Sequence, residues 1–449
     1  MEFLDRWFSL SARSTNLRTE LVSGLTTFLT MSYILAVNPL ILSAAGMDRE
    51  SVFFATAISA GITSILMGLS VNVPVALAPG MGLNAYFVAV VAGSQGAVSY
   101  QVALAAVFFS GIIFLVLTLT KIRPLLVDAF PESLKSGIAA GIGLFLILIG
   151  FKTSGLLAVS VHGAAEAHSM LGPNQWEIQA GNPGSVAVIL ALTGLALLSV
   201  GAFFRWSFSI LATIALLTAG SIFLGETPVP SADQLWHQGF DTSLVGVLDF
   251  GGMLELGLLT VVFTFTFVEL FDSFGTLVAT LRRAGFAGSE EKKTVGRAMI
   301  VDAIGISLGA FLGTSTVTAY IESAAGIAAG GRSGISAIVT GVLFLLSLFA
   351  ASLFLLVPAS ATAPALIFVG MLMLTSIGKL DFEDPVQWIP SVLIVLFMPF
   401  TYNIANGIAA GVMAYMILAI VAGRIKSIHW LLWLLAAIIV ARYSIGGIV

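Results

Sequence analysis

Residues 71–87 read VNVPVALAPGMGLNAYF, and residues 313–334 read GTSTVTAYIESAAGIAAGGRSG. In the first stretch Pro74 and Pro79 lack a backbone donor, and Gly80 and Gly82 weaken a helix. It cannot be one regular helix. VPVALA predicts a short extended piece, and a helix can begin after Pro79-Gly80. In the second stretch the β-branched run from Thr314 to Ile321 favours extended backbone. Small residues from Ser323 onward then suit a tightly packed half-helix. Pro and Gly that merely kink a packed helix would look the same in either stretch alone, so the surrounding chain has to decide.

That chain has 449 residues, 58% hydrophobic and 9% charged, with a mean hydropathy of +1.05. Soluble domains carry about 25% charged residues. A water-soluble fold could not cover so much apolar side chain, so lipid is the solvent for most of it. A soluble enzyme, a secreted domain and a nucleic-acid binder are excluded, and the net charge of −4 supplies no basic field for phosphates. The absence of cysteine removes disulfides and thiolate sites. His162, His168, His237 and His429 form no ligand motif, and no nucleophile, metal cluster or histidine dyad lies within the apolar runs. The chain therefore does not read as an enzyme. No signal peptide is evident, and residues 1–10 read as a short amphipathic segment on the membrane surface.

A membrane-crossing helix needs about 20 mostly apolar residues. Spans fall near 22–44, 52–70, 72–93 (interrupted), 102–120, 134–151, 185–203, 207–225, 253–281, 296–312, 313–331 (interrupted), 336–357, 361–377, 386–401 and 404–422. A fifteenth apolar run, 429–446, is left over. With the N-terminus in the cytoplasm, sixteen of the nineteen Lys and Arg fall at cytoplasmic ends, and only Arg49, Lys152 and Arg442 do not. The loops 152–184 and 226–252 carry almost no Lys or Arg, as outside loops should.

The expectation is an all-α polytopic membrane protein of about fourteen spans in a cell membrane. Seven spans precede the middle and seven follow, so the second half inserts upside down relative to the first, as in inverted-repeat transporters. The divisions expected are a cytoplasmic segment 1–20, a first repeat 21–225, an outside loop 226–252 and a second repeat 253–449. The two interrupted stretches are then the third span of each half. Matched interruptions point to a binding site, because unwound backbone is tolerated at that depth only inside protein or beside a cavity. Half-helix N-termini there present free N–H donors.

Five acids lie in apolar runs: Glu255, Glu269, Asp272, Asp302 and Glu322. A charge at the bilayer centre costs roughly 2.5–3.5 kcal/mol even on lenient scales. Glu255 is near its span's start, within reach of the interface. Glu269, Asp272 and Thr276, in FVELFDSFGT, are spaced i, i+3, i+7 on one helix face. Glu322 begins the second half-helix, and Asp302 sits among small residues in MIVDAIGISLG. Each could be a carboxyl bonded to a neighbouring helix. No Lys, Arg or His lies deep in the spans to pair with them. Carboxyls in a low-dielectric cavity without a cation can exchange a proton near neutral pH. Glu322, Asp272, Asp302 and Glu269 are thus candidates for proton coupling, with the proton gradient as driving force and no cofactor. Such carboxylates repel an anion and suit a flat neutral ring bearing N–H donors. Tyr320 and Phe87 could stack on that ring, and Asn84 could both donate and accept at its edge.

NVPVALAPGMGLNAYF, FVELFDSFGT, TSTVTAYIESAAGIAAGGRSG, TTFLTMSYILAVNPLIL and PFTYNIANGIAAG together resemble the AzgA-like purine permeases, a branch of the nucleobase transporters with the uracil-permease fold. The resemblance spans nearly the whole chain. It implies a core domain of spans 1–4 and 8–11, a gate domain of spans 5–7 and 12–14, and an elevator-like movement of one against the other. It implies import of adenine, guanine or hypoxanthine by proton symport. By motif position it makes Asp272 and Glu322 substrate carboxylates, Tyr320 a stacking aromatic and Asn84 the polar residue of span 3. It likens Asp302 to an acid of span 9 that matters in relatives, and it admits a homodimer. A same-fold carrier of uracil, xanthine or an inorganic anion is the alternative. The run 429–446 does not fit a plain fourteen-span template.

Overall fold

The computed structural model describes residues 2–449 apart from 95, 121–129, 163–174, 205, 207, 229–240, 256–258, 402 and 445–449. His168 and His237 lie outside the described residues, as do the side chains of His162 and Glu255. Ten helices among the described residues are long and apolar enough to cross a bilayer. They are Leu17–Ser43 (span 1), Arg49–Ser70 (2), Tyr100–Leu119 (4), Glu132–Thr153 (5), Val186–Phe203 (6), Val261–Arg283 (8), Gly288–Leu312 (9), Gly334–Leu355 (11), Ala359–Lys379 (12) and Ile404–Val421 (14). Three shorter apolar helices, Met81–Ala92, Ser209–Phe223 and Pro385–Phe400, stand at the positions of spans 3, 7 and 13. The tenth is the interrupted one, a strand followed by the half-helix Ser323–Ala328. The fold is that of two inverted repeats of seven spans.

The repeats meet at the interruptions. Strand β1 (Leu77–Pro79) pairs antiparallel with the later strand Val317–Ala319 through Leu77↔Ala319, Ala78↔Thr318 and Pro79↔Val317. Gly80 N–H to Thr316 O at 2.9 Å and Tyr320 N–H to Ala76 O at 3.0 Å extend the pairing at both ends. Both strands are buried, and their backbone polar groups are met partly by the strand of the other repeat and partly by side chains of their own repeat, Ser64 for Leu77 and Asp302 for Ala319, which supply what lipid cannot. Pro79, with no N–H to offer, occupies the final paired position, where the helix Met81–Gly93 is about to start.

Helix contacts rest on small residues. The most extensive are between spans 5 and 12, 13 and 14, 2 and 11, and 4 and 9. Where spans 2 and 11 cross, a Cβ on Gly341 would lie 2.6 Å from the Gly61 carbonyl oxygen. Where spans 5 and 12 cross, one on Gly370 would lie 2.5 Å from the Gly143 carbonyl oxygen. Only hydrogen at these positions lets the backbones approach so closely.

Span 1 is broken at Ser32–Tyr33 into Leu17–Met31 and Ile34–Ser43, a feature that its continuous apolar sequence does not announce. Within residues 152–184, β2 (Leu157–His162) pairs antiparallel with β3 (Gln175–Ala180). The strand of span 10, Val317–Ala319, is accordingly β4. The leftover run forms a helix, Trp430–Ser444, packed on span 14. At 15 residues it is about 22 Å long, less than a hydrocarbon core of about 30 Å.

The N-terminal segment is a strap seated on the protein. Phe8 and Leu10 are buried against Ile335, with Leu17, Ile338 and Val339 around them, while Trp7 stays exposed. The Arg13 guanidinium donates to the carbonyls of Asn72 (2.6 Å) and Arg332 (2.9 Å) and lies 5.0 Å from the centre of the Phe286 ring. Glu20 Oε1 accepts from the N–H groups of Arg332 (2.8 Å) and Ser333 (3.1 Å) and from the Thr15 hydroxyl (2.9 Å). Burial draws the Arg13 guanidinium below the usual arginine range.

Candidate functional site

The crossing of β1 and β4 brings the intramembrane acids together. Glu322 follows β4 and occupies the residue before the half-helix Ser323–Ala328. Its carboxylate does not cap that helix. Glu322 Oε1 instead accepts from the Tyr33 hydroxyl at 2.8 Å. Tyr33 sits at the break in span 1, where the interrupted helix turns a large side chain inward, and it is 1% exposed. Tyr320 is buried, and its hydroxyl donates to the Pro79 carbonyl at 2.5 Å, which fixes the ring across the strand pair.

Asp272 lies on span 8, half-buried, near enough to Tyr320 and Glu322 to act on both electrostatically. It accepts no hydrogen bond from any described residue. Thr276, one turn on, is also half-buried. Glu269, one turn earlier, points into protein. Its Oε1 lies 3.1 Å from the Ser273 hydroxyl oxygen, and its buried Oε2 has no partner among the described residues. Asp302 on span 9 is fully buried. Its Oδ2 accepts from Ser273 at 2.5 Å, and its Oδ1 accepts from the Ala319 N–H at 2.9 Å and the Thr318 hydroxyl at 3.3 Å.

Asn84 is fully buried in the first turn of the span 3 helix. Its amide nitrogen donates to Asn38 Oδ1 at 2.5 Å, and its oxygen accepts from the Ser315 hydroxyl. Asn38 in turn donates to Thr56 (2.7 Å) and Thr314 (2.8 Å). Span 1, span 2, span 3 and the β4 approach are thereby tied into one polar network. Phe87 is fully buried in the apolar core.

Of the eight residues singled out from the sequence, Asp272, Tyr320 and Glu322 stand near one another, Glu269 and Asp302 meet at Ser273, and Asn84 belongs to the Asn38–Ser315 network. Tyr33, Asn38, Ser273, Ser315 and Thr318 were not singled out. The signals that could have found them are modest: Asn38 before Pro39 inside an apolar run, and Ser273 one turn after Glu269 and beside Asp272. No group of three or more metal-ligating side chains occurs among the described residues. An apolar groove elsewhere, lined by Met413, Ile417, Trp433 and Val440, shares no residue with these acids.

Residues 18–410 match the sequence profile of the permease family. The chain is 38% identical to the adenine permease AdeQ of Escherichia coli (strain K12), over 97% of this chain and 95% of that one. It is also 38% identical to the guanine/hypoxanthine permease PbuG of Bacillus subtilis (strain 168), over 94% of this chain and 95% of that one. Among solved structures, the transmembrane domain of the cyanobacterial bicarbonate transporter BicA superposes with a TM-score of 0.63 at 17% identity, covering 88% of this chain and 97% of that one. SLC26A9 superposes with a TM-score of 0.66 at 12% identity, covering 90% of this chain and 66% of that one. At these identities the likeness is one of fold.

Proposed function

From its membership of the permease family, which makes this multi-pass membrane protein a transporter and not an enzyme, we propose that the chain imports a purine nucleobase together with a proton. The observation that carries the reading is Asp272. It is a carboxylate to which no described residue donates a hydrogen bond, set beside Tyr320 and the Tyr33-held Glu322 at the meeting of two interrupted spans. A flat neutral ring offers N–H groups for such an acceptor and a face for Tyr320. Adenine and guanine/hypoxanthine, for which relatives similar over nearly the whole chain are named, have this chemistry.

The mechanism follows from electrostatics. With no intramembrane cation, an empty site holding several anions is unfavourable, and a proton on one carboxyl relieves it. Purine N–H groups then satisfy the carboxylate that remains. Proton and purine favour the same loaded state, so each promotes the binding of the other. Spans 1–4 and 8–11, which carry every group of the site, move as a core against spans 5–7 and 12–14. Transport needs the proton gradient and no cofactor. The N-terminus faces the cytoplasm, and the protein sits in the cell membrane, where two copies can pair.

Uptake of radiolabelled adenine, guanine and hypoxanthine into cells lacking their own carriers tests the reading. Uracil, xanthine and bicarbonate serve as competitors, with and without a protonophore. Saturable purine uptake that collapses with the protonophore supports the proposal. Saturable uptake of an inorganic anion, or purine uptake indifferent to the protonophore, overturns it.

A further inference from the structure

Behind the candidate substrate site the side chains of Glu269, Ser273, Asp302 and Thr318 form a closed, fully buried cluster. Ser273 is its centre. Its hydroxyl oxygen lies 2.5 Å from Asp302 Oδ2, 3.1 Å from Glu269 Oε1 and 2.9 Å from Thr318 Oγ1. A serine hydroxyl has one hydrogen and two lone pairs. It can donate to one carboxylate only, and toward the other it must accept.

The hydrogen count decides what the cluster contains. Facing the four carboxylate oxygens are the Ser273 hydroxyl, the Thr318 hydroxyl and the Ala319 N–H. With both acids ionised, two anions would share these three donors, and Glu269 Oε2 has no donor at all among the described residues. The other titratable groups nearby are Asp272 on the same helix and Tyr320 and Glu322 after β4, none of which is a cation. Two uncompensated buried charges are costly. One added proton completes the circuit: Glu269 Oε1–H donates to Ser273, Ser273 donates to Asp302, and Ala319 N–H donates to Asp302.

We propose that Ser273 is the bridge through which the transported proton passes between Glu269 and Asp302, and so the residue that couples proton movement to the substrate strand. The inference rests on the proton-coupled reading given above. In the step, the Glu269 O–H bond breaks as a new Ser273 O–H forms, and the original Ser273 O–H breaks as an Asp302 O–H forms. One proton moves, negative charge moves the opposite way, and nothing is oxidised or reduced. On losing its charge Asp302 weakens its hold on Ala319 N–H and Thr318, because hydrogen bonds to an ionised acceptor are the stronger ones. Ala319 is the end of β4 and Tyr320 is the next residue, so the proton's position is felt where the purine binds. Ser273 touches no substrate in this scheme; it is a positioning and relay residue.

The test uses the full-length protein in liposomes, with radiolabelled purine accumulation under an imposed pH gradient measured beside purine exchange without a gradient. Ser273→Ala is expected to lower gradient-driven accumulation by about tenfold or more, since the bond removed is one to a charged group. Exchange should stay within about threefold, because no substrate contact is lost. Ser273→Thr, which keeps the hydroxyl, should restore accumulation and its pH profile. If Ser273→Ala does not reach the membrane, Ser273→Cys is read in its place with the same expectations, the thiol being a weak donor. Wild-type accumulation with an unchanged pH profile in the Ala or Cys variant overturns the proposal. Equal loss of accumulation and exchange, unrescued by Thr, also overturns it and assigns Ser273 a structural role. Wild-type protein with protonophore-insensitive purine uptake would instead sink the functional reading itself.

Discussion

Asp272→Asn exchanges one carboxylate oxygen for an amide nitrogen at nearly constant volume, and the structure says what that should cost. No described residue donates to Asp272, so the substitution disturbs no internal hydrogen bond and the fold should be untouched. Nearby Tyr320 and Glu322 keep their anchors, the Pro79 carbonyl and the Tyr33 hydroxyl. What is lost is the charge on an acceptor waiting for purine N–H groups. A hydrogen bond to a charged group is worth about 1.5–3 kcal/mol. At about 1.4 kcal/mol per tenfold, the purine Kd should rise by roughly 10- to 150-fold. The assay is equilibrium binding of radiolabelled purine to purified protein in detergent, with thermal unfolding as a control for fold. An unchanged melting temperature with the expected loss of affinity supports the reasoning. Affinity within about twofold of wild type, less than half a kcal/mol, would remove Asp272 from the purine site.

Tyr33→Phe deletes the hydroxyl that holds Glu322 and should weaken purine binding by about 10-fold or more, read in the same assay; unaltered affinity would make the contact purely structural. Gly341→Leu forces a side chain against the Gly61 carbonyl, where even a Cβ would lie at 2.6 Å, and should destabilise the protein by about 1–3 kcal/mol in thermal unfolding; an unshifted melting curve would contradict the crossing of spans 2 and 11. Asp384 accepts from Arg424 and caps span 13, and the Arg424 bond chiefly holds its carboxyl below the ordinary range. Its folded value is the depressed one, so its stabilisation is present above the ordinary aspartate value of about 4 and fades as pH falls through the lowered value. Asp384→Asn should therefore flatten the acid limb of stability against pH, and an identical limb in both proteins would show that the pair contributes nothing.

How much of this was legible in the sequence differs from residue to residue. The crossing strands were, because Pro74, Pro79 and the β-branched run before Tyr320 forbid helix in places where lipid forbids anything else. Asp272 and Glu322 were, because an uncompensated acid in an apolar run is too costly to be incidental. The break in span 1 was not: Ser32 and Tyr33 are unremarkable in a helix, and the partner of the Tyr33 hydroxyl, Glu322, lies 289 residues away. Asn84 stood out as a residue able to read a purine edge. The structure gives both ends of its amide to Asn38 and Ser315, partners that a linear pattern cannot reveal. Ser273 was hidden for the same reason, since a serine beside an aspartate becomes informative only once a second acid from another helix arrives on its far side.

The seat of the N-terminal strap has a consequence for biogenesis. Arg13 binds the carbonyl of a residue 319 positions later, and Glu20 binds N–H groups 312 and 313 positions later. At roughly 10 residues per second, the ribosome needs about half a minute to deliver those groups after the strap has emerged. Until then the Arg13 guanidinium has only the Asn72 carbonyl to hold, and the Glu20 carboxylate only the Thr15 hydroxyl. The strap is thus fully locked only after residues 332 and 333 have followed it. Truncating the chain before residue 332 should leave its beginning as unsettled as its end.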